Sequence, residues 1–177
     1  MRKNVWIWQL AGMTFTAVFG SLLHFLYSWT ELLVFAPISA VNESTWEHMK
    51  IFFFPTLVFA CIQSKFICDE YDGFWWVKFI GTIVGTLAIP ILFYTWKGAF
   101  GKPPDWLNVL FFFLSAGIAY GIEYFLFRGR FSLGLSWISI VILLGIALAF
   151  CVFTFYPPSL PLFQDPLNGL YGIAVFS

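Results

Sequence analysis

The chain is poor in charge. Only 10% of its 177 residues are Asp, Glu, Lys or Arg, too few to coat a water-facing surface, which excludes an ordinary soluble domain. Acidic and basic residues balance at 9 each, so there is no basic footprint and no nucleic-acid partner is expected. The three cysteines, Cys61, Cys68 and Cys151, form no CxxC pair and no disulfide framework, and they fix no redox compartment. Histidine occurs only at positions 24 and 48, and no Ser/His/Asp or Cys/His nucleophile is legible. Neither a repeat of fixed period nor an inverted duplication of the transporter kind stands out.

Hydrophobic residues make up 60% of the chain, with 24 Phe and 9 Trp, and the mean hydropathy is +0.86. The solvent this composition fits is the lipid bilayer. A spanning helix needs about 20 mostly apolar residues, and five segments meet that length, at 5–27, 46–67, 74–96, 106–127 and 131–156. The expected fold is therefore all-α, a polytopic transmembrane helical bundle of about five spans forming a single integral membrane domain over 1–177. The first run extends past the length of a signal-peptide core and is read as a retained span. Pro55 interrupts the second, which is kept because neighbouring helices can satisfy a carbonyl freed by proline. Residues 157–177 are rich in Pro and Gly yet apolar, too broken to span, and are expected to lie at the interface or fold back over the bundle mouth.

Numbered this way, Arg2, Lys3, Lys65, Lys78, Arg128 and Arg130 fall on one side, against Lys50, Lys97 and Lys102 on the other. The positive-inside bias then places the N-terminus in the cytoplasm. Small or polar residues recur at every fourth position in Gly12, Thr16, Gly20 and His24, in Gly81 and Gly85, and in Gly117 and Gly121. Such stripes are expected to face the bundle interior, where backbones approach closely.

The segment VNESTWEHMK, residues 41–50, breaks the apolar pattern. It starts the second span at the end where the first span finishes with His24, so His24, Glu43, Glu47 and His48 are expected to meet. On a helix, Glu43 and Glu47 share a face and His48 points about 100 degrees away from Glu47. Two carboxylates and two imidazoles are oxygen and nitrogen donors suited to a divalent metal such as Zn, Mn or Fe. Ionisable groups inside membrane segments usually have a partner or a task. Asp165, in the Pro/Gly-rich tail, can approach this cluster if the tail folds back; a turn-forming aspartate before Pro166 is the plainer reading. So is a capping box for Ser44 to Glu47, with Glu43 simply favourable near a helix N-terminus. Glu123 is expected to pair locally with Arg128 or snorkel to the interface, and Cys68, Asp69, Glu70 and Asp72 to form a solvated turn.

The stretches LHFLYSW at 23–29, PISAVNESTWEHMKIFFFP at 37–55 and PPSLPLFQDPLNGLYGI at 157–173 resemble a family of small bacterial multi-pass membrane proteins of unknown function that carry an NES-x-WEH motif. The resemblance implies a bacterial inner or plasma membrane location and no particular activity. Membrane hydrolases of the alkaline ceramidase type are similar only in gathering His and acidic ligands within a helical bundle; their paired HxxxH histidines are not present here.

Three classes of function follow. In the first, the cluster binds or transports a cation or small polar ligand. In the second, three of its members hold a metal whose bound water hydrolyses a lipid or peptide bond, the remaining carboxylate serving as general base. In the third, the protein is a structural or accessory subunit whose polar groups cap helices and join spans. Oligomeric state is not legible.

Overall fold

The computed structural model describes residues 4–173. Five helices follow one another: α1 (Val5–Thr30), α2 (Thr45–Ile67), α3 (Phe74–Phe100), α4 (Asp105–Arg128) and α5 (Ser136–Phe155). All five are long and apolar enough to cross a membrane, and among the described residues no β-strand forms, only an isolated bridge between Gln164 and Tyr171. This is the all-helical architecture of a multi-pass membrane protein. A single 3₁₀ turn, Cys68–Glu70, closes α2, and Asp69, Glu70 and Asp72 around it are exposed. The fifth helix starts later than the apolar run does, because residues 131–135 form a loop that includes Gly134 at φ 75°.

The second helix is the centre of the bundle. Half of its most apolar window is buried against protein, compared with 17% for α1 and 22% for α5, so those two turn most of their surface outward. The helix packs on α1, α3 and α5, while α4 packs on α3 and α1. Phe52, Phe53, Phe59, Phe112, Tyr120 and Phe150 form the core between them. Burial of such rings does not by itself drive helices together in lipid, so close fit and polar contacts must do so.

The small-residue stripes supply the fit in two of three cases. Gly12, Thr16 and Gly20 are buried on α1; a side chain at Gly12 would overlap the rings of Tyr120 and Phe59. At Gly20 an added Cβ would strike the Phe112 ring and lie 3.0 Å from the Ile51 carbonyl oxygen. That carbonyl is four residues before Pro55, whose missing N–H frees it, so α1 comes close where α2 loses a bond. Gly81 and Gly85 likewise sit against Glu123 and against Phe52 and Ala119. Gly117 and Gly121 depart from the expected pattern, having nothing within 4 Å of an added Cβ. The buried face of α4 instead runs through Ser115, Ala116, Ala119, Tyr120 and Glu123, whose bulkier side chains fill the seam.

Candidate functional site

The loop between α1 and α2 is fastened at many points, and VNESTWEHMK carries most of them. Ser44 is the N-cap of α2, accepting from the Glu47 N–H at 3.4 Å. The return arm of the capping box is not made by Glu47: the Ser44 N–H donates to Asn42 Oδ1 at 2.9 Å. Asn42 Nδ2 donates to the Gly172 carbonyl at 2.9 Å, and the Trp46 N–H, an orphan of the first helical turn, donates to the Leu162 carbonyl at 3.0 Å. The Trp46 ring lies between Phe150 and Phe163. Residues 157–173 therefore fold back over this end of the bundle and cap the start of α2.

Glu47 is seated away from the other members of the expected cluster. It is buried and pairs with Lys50 at 2.5 Å, and its carboxylate also accepts from the Val41 N–H at 3.1 Å. Lys50, fully buried, donates further to the Ala36 carbonyl and to Thr154 Oγ1 at 2.8 and 2.7 Å. One ion pair thus ties the 36–41 loop, α2 and α5 together. Its desolvation is offset only because nearly every donor and acceptor is used.

Glu43, His24 and His48 remain, and they converge. The Glu43 carboxylate lies 3.7 Å from His24 Nε2 through one oxygen and 3.6 Å from His48 Nε2 through the other. One donor atom from each of the three lies within 4.8 Å of the others. The two rings are tilted at a centroid distance of 5.3 Å. His48 Nδ1 sits 2.9 Å from the Ser44 carbonyl; that oxygen only accepts, so Nδ1 carries a proton and Nε2 is the nitrogen left to face Glu43. A backbone carbonyl holding the far nitrogen is the usual support behind a histidine ligand. His24 Nδ1 is buried without a partner.

The triad faces a cavity of about 650 Å³, which Asp165, Asp105, Asn108, Lys97 and Lys102 also line. Asp165 shares this cavity, yet its carboxylate is engaged by the Leu167 N–H and by Asn168 Nδ2 at 2.8 and 3.1 Å, as a turn-forming aspartate would be.

A second buried ion pair was not legible in the sequence. Glu123 is not paired with Arg128; it meets Lys78 of α3 at 2.5 Å, both side chains fully buried, and Arg128 donates instead to the Tyr124 hydroxyl. Lys78 Nζ also lies 5.0 Å from the centre of the Tyr120 ring, whose hydroxyl is 2.7 Å from Thr16 Oγ1. The sequence shows Lys50, Lys78, Glu47 and Glu123 inside apolar spans, where such groups need partners, but not which of them pair.

The family of unknown function DUF6512 matches residues 1–173. The chain belongs to that family. Residues 24, 43, 48 and 165 and both buried ion pairs all fall within the stretch DUF6512 covers. No curated protein and no solved structure matches the chain.

Proposed function

We propose that this membrane protein binds a divalent transition-metal ion, Zn, Mn or Fe, through His24 Nε2, Glu43 and His48 Nε2, and that binding or transport of this cation is its task. The observation that carries the reading is the spacing of the triad. At 3.6 and 3.7 Å the nitrogens are too far from Glu43 for good hydrogen bonds. Each gap is near the separation of about 3.4 Å that two ligands take around a tetrahedral ion with bonds near 2.1 Å, and one donor atom from each residue lies within 4.8 Å of the others. A cation seated between them would draw the Nε2 lone pairs of the neutral imidazoles and the carboxylate to one centre.

A second reading, a metal-dependent hydrolase, is favoured by the cavity. Three protein ligands plus an open position for water is the coordination of catalytic zinc, and the triad opens onto some 650 Å³ of space.

From the sequence resemblance and the loop charge count we further propose a bacterial inner or plasma membrane location with the N-terminus cytoplasmic and the triad at the outer end. Lys78 and Lys50 are buried in ion pairs, so one leaves each side of the loop count and six against three becomes five against two. Arg2 and Lys3, which contribute to the five, lie outside the described residues.

The test is metal content by elemental mass spectrometry of detergent-purified protein supplied with Zn, Mn and Fe in turn. Near-stoichiometric metal in the wild type, reduced at least about tenfold in Glu43→Gln and His48→Ala, is expected. Wild-type protein that holds none of the three ions defeats the proposal.

A further inference from the structure

The triad stands where two cavities meet. Besides the 650 Å³ cavity, a groove of about 300 Å³ runs between α1 and α4, and His24, Glu43 and His48 line both. The two differ in character. The groove is walled by Gly20, Ser21, Phe25, Val109, Phe112 and Phe113; of these Ser21, Phe25, Val109 and Phe113 are exposed on helix surfaces that face outward. In a bilayer, that side is lipid. The larger cavity carries more charge: Glu43 and Asp105 line both spaces, at the end where they meet, while the Asp165 carboxylate and the Lys97 and Lys102 ammonium groups line the larger one alone. Formally that is three negative against two positive, a net of −1, which a divalent ion turns to +1. A cavity that first attracts a cation thus becomes attractive to an anion once the cation is held. Asn108, shared by both cavities, has a buried Oδ1 with no hydrogen-bond partner, an acceptor that a protonated oxygen of a phosphate monoester would answer.

We propose that the site takes a membrane amphiphile, its apolar chain in the groove between α1 and α4 and its anionic, phosphate-type head at the triad, facing Lys97 and Lys102. This rests on the metal reading above, since the head completes the coordination of the bound ion. Joining a groove open to lipid with a charged chamber at one set of ligand residues is what a single-chain amphiphile needs and a free ion does not. Chain burial supplies affinity in proportion to the methylenes covered, and the metal and lysines select the head.

The experiment uses the full chain loaded with cobalt(II) in nanodiscs of zwitterionic phosphatidylcholine, reading the visible cobalt absorption, which responds when a ligand enters the coordination sphere. The probes are dodecyl phosphate, inorganic phosphate and dodecanol. Dodecyl phosphate is expected to shift the spectrum at a concentration at least about tenfold below inorganic phosphate, with dodecanol silent. Partitioning of the probe into the disc adds the same gain to every variant, so the decisive comparison is between them. Val109→Trp, which fills the groove from its lipid side, is expected to shrink the ratio between the two phosphates several-fold, whereas Leu144→Trp on outward-facing α5 keeps it. Lys97→Gln combined with Lys102→Gln weakens both phosphates. Cobalt bound but unmoved by either phosphate, or a ratio that Val109→Trp leaves intact, overturns the amphiphile and leaves the metal site standing. Failure to bind cobalt removes both.

Discussion

Lys78 and Glu123 meet across the α3/α4 seam at 2.5 Å with neither side chain exposed, and a glycine, Gly81, sits against the glutamate one turn along α3. Each charge is tolerable there only because of the other. Removing one partner strands a buried charge, at a cost of about 3–5 kcal/mol, whereas replacing both with apolar groups of similar volume is often neutral. Lys78→Met and Glu123→Leu are therefore each expected to lower the unfolding temperature in detergent, and the double variant to recover most of the loss. A double variant as unstable as the sum of the two would show that the pair is not a unit.

Glu43 presents a different balance. It is partly exposed and its contacts are to the two histidines, so Glu43→Gln is expected to lower metal content at least about tenfold while changing stability by less than about 0.5 kcal/mol. Glu47→Gln is expected to do the reverse in order of severity: it breaks the buried pair with Lys50 and loosens the 36–41 loop, so unfolding temperature falls first and metal content only as the loop yields. Measuring both quantities on both variants separates ligand from support. Equal metal loss at unchanged stability in Glu47→Gln would return Glu47 to the ligand set.

Metal binding should also depend on acidity. Each imidazole must offer an unprotonated Nε2, so binding releases protons and acidification releases the metal. Equilibrium dialysis over a falling pH series, on protein whose fold is followed in parallel by circular dichroism, is expected to show metal leaving before helix content does.

Ser44 couples the helix start to the site. Its side chain caps α2 and its carbonyl holds His48 Nδ1. Ser44→Ala keeps the carbonyl and loses the cap, so about 1 kcal/mol of stability should go while metal content stays within error.

The glycine stripes give a contrast that tests the packing. Gly12→Leu drives a side chain into Tyr120 and Phe59 and is expected to destabilise by at least about 1–3 kcal/mol. Gly117→Leu points into open space and should be nearly silent. A silent Gly12→Leu would mean that α1 is not docked along this face.

These contrasts mark how far sequence reading reaches. Gly12 and Gly117 belong to the same pattern on paper, because fourfold spacing identifies a face without saying what that face meets. Glu47 and Glu43 also share spacing and chemistry, and only the presence of Lys50 beneath the loop sends one to an ion pair and leaves the other at the histidines.

What the sequence by itself determined is the solvent and therefore the architecture. Lipid offers no hydrogen bonds, so apolar runs of this length must close their backbone bonds internally as helices, and their number and near-boundaries follow from composition alone. Partner choice was left to the tertiary structure. Glu123 turns to Lys78 rather than to Arg128, Trp46 takes its backbone acceptor from Leu162, and His24 reaches Glu43, because each pairing depends on which helix faces pack together and at what depth. Those are settled by side-chain fit among five similar helices, a property of the assembled bundle that no single span encodes.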